Sequence, residues 1–515
     1  MMNDADMQLL QQLLRTGTRP APEVLDVMQS IVSPIRRLPF ELLARIILFA
    51  SEAHSSTPNW TINSKKGPWA LGQVCTSWRA VVLTTSALWK NINLEPPRST
   101  LGNGHSIFLL TEALRRSGTC ALNITIKYRG GNNESIMPPD EDTMIADEYT
   151  VLTDEDTIVV HDEDVVSTYD EQDDDDALLI PLLFTSDRWE SFSLDVGDNV
   201  ENLIELNKQL HGRSLATLQS LELEIRGPLN SSSDQLDFLR SAPLLKRLRM
   251  EGIVPECLFI PWLQLEHVVM TVITETQFIE VLRNARNLKS LDCDAPYDWL
   301  PDSQTPEHIL QSSVRELEMT SLGCRLLEFM TLPNLQKLHL RIWNPSEIHV
   351  GHPRAITFLM PFLVRSGCQL SSLVLDYTTF TAAEVATILR ALPFLSTLTI
   401  LRPRPFFDVD VLLTQLGHGQ LLPNLRHLHV HGLRWRSIEP ILALFDTRIV
   451  LKEGRHTVSA LENVVLKGKF ASSQAMRAIL AYIQGPDDRI PDRSWSYNAD
   501  VDKKELQYQH STSVN

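Results

Sequence analysis

Leu332-Pro333-Asn334-Leu335-Gln336-Lys337-Leu338-His339-Leu340 is the stretch that decides the fold. Pro333 stops a preceding helix. Leu338-His339-Leu340 then alternates, so the leucines share one side of a strand and Lys337, His339 and Arg341 share the other. The spacing Leu-x-x-Leu-x-Leu returns, with first apolar positions at Trp189, Leu218, Leu245, Leu265, Leu288, Val314, Leu335, Leu370, Leu395, Leu425 and Leu461. Successive units lie 20 to 36 residues apart, mostly in the twenties. Pro243 and Pro423 precede their strands as Pro333 does. Helix-like stretches fall between them at Gln277–Asn284, His308–Ser312, Arg325–Met330, Ala383–Ala391, Ile438–Phe445 and Ser473–Ile483. The long gaps from Leu335 to Leu370 and from Leu425 to Leu461 are expected to hold surface loops.

A unit of 20–29 residues, one strand plus a helix or turn, is the signature of leucine-rich repeats. No single unit buries its own apolar side, but stacked units share a continuous core. Residues 177–484 are therefore expected to form an α/β solenoid, a curved parallel sheet with helices outside. Residues 105–129 supply an earlier helix, Ile107–Arg116, and a strand, Leu122–Ile126. Between these parts, residues 130–176 carry acid clusters every seven or eight residues, starting at Asp140, Asp147, Asp154, Asp162 and Asp170. Dense like charge resists compaction, so this is expected to be a disordered insertion. Calcium loops need glycine for their tight turns, and residues 140–176 have none. The polar tail, 485–515, is expected to be mobile.

The amino end reads differently. Residues 1–32 hold short candidate helices. Residues 33–94 then carry Leu38-Pro39-Phe40-Glu41-Leu42-Leu43, Val74-Cys75-Thr76-Ser77-Trp78-Arg79 and Leu88-Trp89. Proline and an acid suit a first helical turn. Leu42, Leu43, Ile46 and Ile47 make an apolar stripe, and Leu71, Val74, Cys75 and Trp78 are spaced for a second helix. So small a helical unit leaves apolar surface uncovered, which marks a partner site. This pattern resembles an F-box over about sixty residues, with a lead-in from Ser33 to Pro39 like that of F-box proteins from mushroom-forming fungi. The resemblance implies binding to the Skp-type adaptor of a cullin–RING ubiquitin ligase. It also implies that Leu38, Pro39, Leu42, Leu43, Ile46, Val74, Cys75 and Trp78 make that contact or the small core behind it. The link from Ser51 to Pro68 is longer and more polar than the family's, so part of the expected helix is looped out.

Composition narrows the function. Net charge is −17, yet 17 of the 64 acids lie between Asp140 and Asp176 with no Lys or Arg among them. The remaining 47 acids equal the 47 Lys and Arg, so the body is near neutral and no bulk basic field draws nucleic acid. No apolar run nears the ~20 residues that span a bilayer, and the first residues lack a signal peptide's basic start. A cytoplasmic or nuclear location, away from membranes, is expected. Six dispersed cysteines read as reduced packing groups. Phosphate-binding glycine loops and nucleophile elbows are absent, so neither catalysis nor a cofactor is expected.

Strand residues between the inward leucines face the opposite side: Ser220, Glu222 and Glu224; Arg247 and Arg249; Glu316 and Glu318; Lys337, His339 and Arg341; Asp376; Thr397 and Thr399; His427, His429 and His431. Their mixed signs suit a folded protein target. Three histidines on one strand face are nearly 7 Å apart in sequence order, from ~3.4 Å per residue, too far to share one zinc at ~2.0–2.1 Å. No metal is expected. The resulting expectation is a substrate-recognition subunit of a ubiquitin ligase, docked through its adaptor to a cullin. The alternative is a repeat scaffold unconnected to ubiquitination.

Overall fold

A computed structural model describes residues 38–54, 61–95, 103–128, 178–197, 200–226, 236–253, 257–271, 275–294, 308–320, 322–341, 355–376, 380–402, 407–419, 421–435, 439–448, 461–470, 493–498 and 505–510. Two compact units divide the chain, residues 1–244 and 245–515. The fold is α/β in both.

The first unit opens with helices α1 (Phe40–His54), α2 (Gly67–Leu71) and α3 (Thr76–Thr84). Strand β1 (Asn91–Leu94) follows, then α4 (Asn103–Arg116), β2 (Leu122–Lys127), α5 (Leu179–Leu183), β3 (Trp189–Asp195), α6 (Glu201–Leu210) and β4 (Ser220–Glu224). The strands pair in parallel in the order β1-β2-β3-β4. Gly118 ends α4 at φ 57, a left-handed conformation that costs glycine little. The sheet therefore begins inside residues 33–94. Leu88 and Trp89 lie in a 3₁₀ turn and are buried at its start.

The second unit holds β5 (Arg247–Glu251), β6 (His267–Thr271), α7 (Glu275–Asn284), β7 (Ser290–Asp294), β8 (Ile309–Leu310), β9 (Glu316–Thr320), β10 (Met330–Thr331) and β11 (Lys337–Arg341). It continues with α8 (Ala355–Ser366), β12 (Ser372–Asp376), α9 (Ala382–Arg390), β13 (Thr397–Leu401), α10 (Val409–Gly417), β14 (His427–Trp435), α11 (Glu439–Arg448), β15 (Asn463–Phe470), β16 (Arg493–Asn498) and β17 (Glu505–His510). Nine strands, β5-β6-β7-β9-β11-β12-β13-β14-β15, run parallel, and β17 and β16 close the order antiparallel. Each of the nine starts two residues after its first apolar position, as Lys337 follows Leu335 and His427 follows Leu425. That offset lines up leucines across strands: Leu317 beside Leu338, Leu338 beside Leu373, Leu373 beside Leu398. All are buried.

Polar side chains bind successive turns to one another. Asn287, Asn334 and Asn424 each stand just before a strand's first leucine. Their Nδ2 groups donate to the carbonyls of Leu263, Ser312 and Pro393, 2.7, 2.7 and 3.0 Å away in the preceding turn. Arginines do the same beneath: Arg365 donates to the Met330 carbonyl at 3.0 Å. Buried Arg448 donates to the carbonyls of Leu421 and Leu422, both at 2.9 Å. Burial lowers the Arg448 pKa to about 10. Carbonyls left over at turns are thus satisfied without water.

Several expectations change. The single helix through Leu71 and Trp78 is two, because the backbone turns at Gly72–Val74 and α3 starts afresh after Cys75. Helix α1 continues through Ser51 to His54, into the stretch assigned to a loop. His308–Ser312 is not helical: Ile309 and Leu310 form β8, paired in parallel with Met330 and Thr331. The long gap from Leu335 to Leu370 contains α8 rather than a loop alone, whereas α11 in the other gap overlaps the helix-like stretch expected at Ile438–Phe445. Within the tail expected to be mobile, Arg493–Asn498 and Glu505–His510 are strands, whose period-two alternation was hidden by their polar composition. The acidic insertion, the helices of residues 1–32 and the stretch Ser473–Ile483 lie outside the described residues.

Candidate binding surfaces

Helix α1 forms directly after Leu38-Pro39. The Pro39 carbonyl accepts from the Leu43 amide at 3.0 Å, and Glu41 places a negative charge in the first turn, where the helix dipole favours it. Leu43 and Ile47, four apart, are buried, and α1 packs on α3. One position earlier on the helix, Leu42, Ile46 and Phe49 follow at i, i+4 and i+7 and are 47%, 42% and 78% exposed. Val74, in the turn between α2 and α3, is 61% exposed. Leu38, Cys75 and Trp78 are half-buried, and Pro39 is exposed. Phe40 and Phe49 were not singled out from sequence, although Phe49 continues the spacing of Leu42 and Ile46.

The helices are tied to the sheet beside them. Trp69 and Trp89 meet edge to face, with centroids 4.6 Å apart at 71°. The Arg116 guanidinium lies 4.8 Å from both rings, a cation–π contact from α4. Trp69 Nε1 donates to the Thr61 carbonyl and Trp89 Nε1 to that of Val82, each at 2.9 Å. Thr61 Oγ1 accepts from the Asn93 amide of β1, also at 2.9 Å. The anchored side of the helices is thus used up, and the apolar row on α1 is left over.

The second surface is the face of the second unit's sheet opposite the leucines. Register brings Asp292, Glu318 and His339 side by side on β7, β9 and β11. Arg341 lies 2.8 Å from Asp292 and 3.0 Å from Glu318, and His339 Nδ1 is 3.0 Å from Glu318. Glu316 pairs with Lys337 at 2.6 Å. His427 approaches Glu462 at 3.8 Å, and Arg249 pairs with Glu251 on its own strand. The expected mixed signs are present, but most of these charges already answer one another. Arg247 is exposed; His429 and His431 are half-buried one step apart along β14.

Environment separates the two central acids. Burial, reinforced by Glu318 and opposed by Arg341, pushes Asp292 up to about 6. The hydrogen bond from His339 holds Glu318 below the usual carboxylate range despite its burial. Burial also raises Asp294. Asp376 is only 6% exposed and takes a two-point contact from Arg402, at 3.1 and 2.6 Å. That partnership crosses 26 residues and was not foreseen.

Among the described residues, no group of three or more His, Cys, Asp or Glu is arranged to hold a metal ion. Among them too, no helix is long and apolar enough to cross a membrane. No protein-family model matches the chain, and no curated protein matches it significantly.

Proposed function

We propose that this chain is the substrate-recognition subunit of a cullin–RING ubiquitin ligase, with an F-box at residues 33–94 and a leucine-rich-repeat solenoid after it. The observation that carries this reading is the uncovered row Leu42, Ile46 and Phe49 on a helix whose other apolar residues, Leu43 and Ile47, are already buried. Covering half-exposed side chains of this size contributes on the order of 1 kcal/mol each, enough together to make a docking face. A Skp-type adaptor is the occupant implied by the motif. The sheet face opposite the leucines then holds the target, and transfer follows from proximity, which needs no reacting group on this chain.

The test is co-purification with a Skp-type adaptor. Leu42→Asp with Ile46→Asp is expected to abolish capture while thermal unfolding stays within about 1 kcal/mol of the parent, since both sites are exposed. Capture unchanged by the double variant removes the ligase reading and leaves a repeat scaffold that binds partners through its sheet face.

A further inference from the structure

The parallel strands of the second unit meet two that run the other way. Strand β17 pairs antiparallel with β15, from Asn463 beside Gln509 to Lys467 beside Glu505. Strand β16 pairs antiparallel with β17 in turn, from Arg493 beside His510 to Asn498 beside Glu505. Residues 493–510 thus form a hairpin laid along one edge of β15, while β14 takes the other edge in parallel.

The covered edge belongs to a run of strong strand formers. Val464, Val465 and Leu466 of β15 are buried, and an edge of such residues recruits strands from other chains. The hairpin that lies on it is richer in polar groups, with Arg493, Ser494, Ser496 and Asn498 on β16 and Glu505, Gln507, Gln509 and His510 on β17. A two-stranded hairpin is marginally stable alone in water, so this one depends on β15 for its order.

Strand direction identifies what the hairpin keeps away. A further repeat unit would arrive parallel, as β14 does. Two copies related by a two-fold axis instead bring the same strand together antiparallel. A second copy's β15 therefore takes the orientation that β17 already occupies. With the axis at Val465, Val464 meets Leu466 of the second copy, and residues of one sheet face stay on one face.

We propose that residues 493–510 guard the edge of β15 against a second copy of this chain. With the hairpin seated the chain stays single; with it displaced, two copies pair through β15. The device lies in the second unit and is independent of adaptor docking, so its failure leaves the ligase reading untouched.

Sedimentation of the full chain beside a variant lacking residues 486–510 tests the guard. The full chain is expected to sediment as a monomer, and the deleted chain as a monomer–dimer equilibrium whose dimer share grows with concentration. Strand β17 lies between two others, so proline within it removes a ladder bond. Gln507→Pro in the full chain is expected to dimerise likewise while far-ultraviolet circular dichroism keeps the signal of the remaining sheet. A synthetic peptide of residues 491–512, added to the deleted chain, is expected to return it to monomer, and the same peptide N-methylated at Leu506 and Gln507 is not. A deleted chain that stays monomeric overturns the proposal, as does a full chain that dimerises equally or a dimer that survives excess peptide. If both variants lose the sheet's circular dichroism, the hairpin is part of the core rather than a guard, and the proposal falls.

Discussion

Arg402 has φ 47, a left-handed conformation that costs a residue with a Cβ about 1–2 kcal/mol. It is held there by its own contacts: its amide donates to the His431 carbonyl at 3.0 Å and its side chain clamps Asp376. Arg402→Ala keeps the strained backbone and leaves a buried carboxylate without its clamp, so a loss of about 2–3 kcal/mol in urea unfolding is expected. Arg402→Gly loses the same clamp without the strain and is expected to be about 1 kcal/mol more stable than the alanine variant. Equal losses would mean the backbone stores nothing at this position. Asp292 supplies a second test, in pH. Its folded pKa of about 6 lies above the ~3.9 of an unfolded aspartate. Between those values the folded chain keeps the proton and the unfolded chain has released it. Stability therefore falls as pH rises from about 4 to about 6, by on the order of 3 kcal/mol, and levels off above. Glu318 is depressed instead, so its contribution is present above the unfolded value and is lost only at lower pH. Asp292→Asn is expected to flatten the slope between pH 4 and 6 in chemical unfolding.

At the scale of elements, helix α9 shows what local sequence specifies. Thr381 Oγ1 accepts from the Glu384 amide at 3.2 Å, and Glu384 Oε2 accepts from the Thr381 amide at 2.8 Å. This capping box satisfies two donors that helix starts leave open. Val385, Ala386, Ile388 and Leu389 then form its buried stripe. Thr381→Ala is expected to cost about 1 kcal/mol in unfolding, and Thr381→Ser a few tenths. Elements of this kind were legible because cap, period and stop agree within a dozen residues. The strands at Lys337 and Thr397 were legible for the same reason. Strand β8 was not, since two residues have no period and its partner lies in the next turn. The break at Gly72–Val74 was missed because helical spacing of Leu71, Val74 and Trp78 survives a short turn. The Asn334 and Asn424 bridges sat in plain view inside Pro-Asn-Leu, but their acceptors are more than twenty residues upstream, at Ser312 and Pro393. Only aligning the units reveals them. The same alignment pairs Glu316 with Lys337, each two places after its unit's first apolar residue.

For the whole molecule, the acidic stretch tests how far sheet and charge are separate. Strands β2 and β3 are parallel neighbours, in register from Asn123 beside Ser191 to Lys127 beside Asp195, although the stretch stands between them in sequence. The sheet is thus continuous across it. Removing residues 140–176 takes away 17 acids and no Lys or Arg, which brings a net charge of −17 to zero. The deletion is expected to abolish retention on an anion exchanger at pH 7 under salt that holds the parent chain. Shortening a connection changes loop-closure entropy only slowly, and a fourfold shortening gains about 1 kcal/mol. The melting midpoint of the deleted chain should therefore match or slightly exceed the parent's, with low salt as the more sensitive condition because self-repulsion is least screened there. A midpoint lowered by several degrees would show instead that the acidic residues contribute packing to the sheet they interrupt.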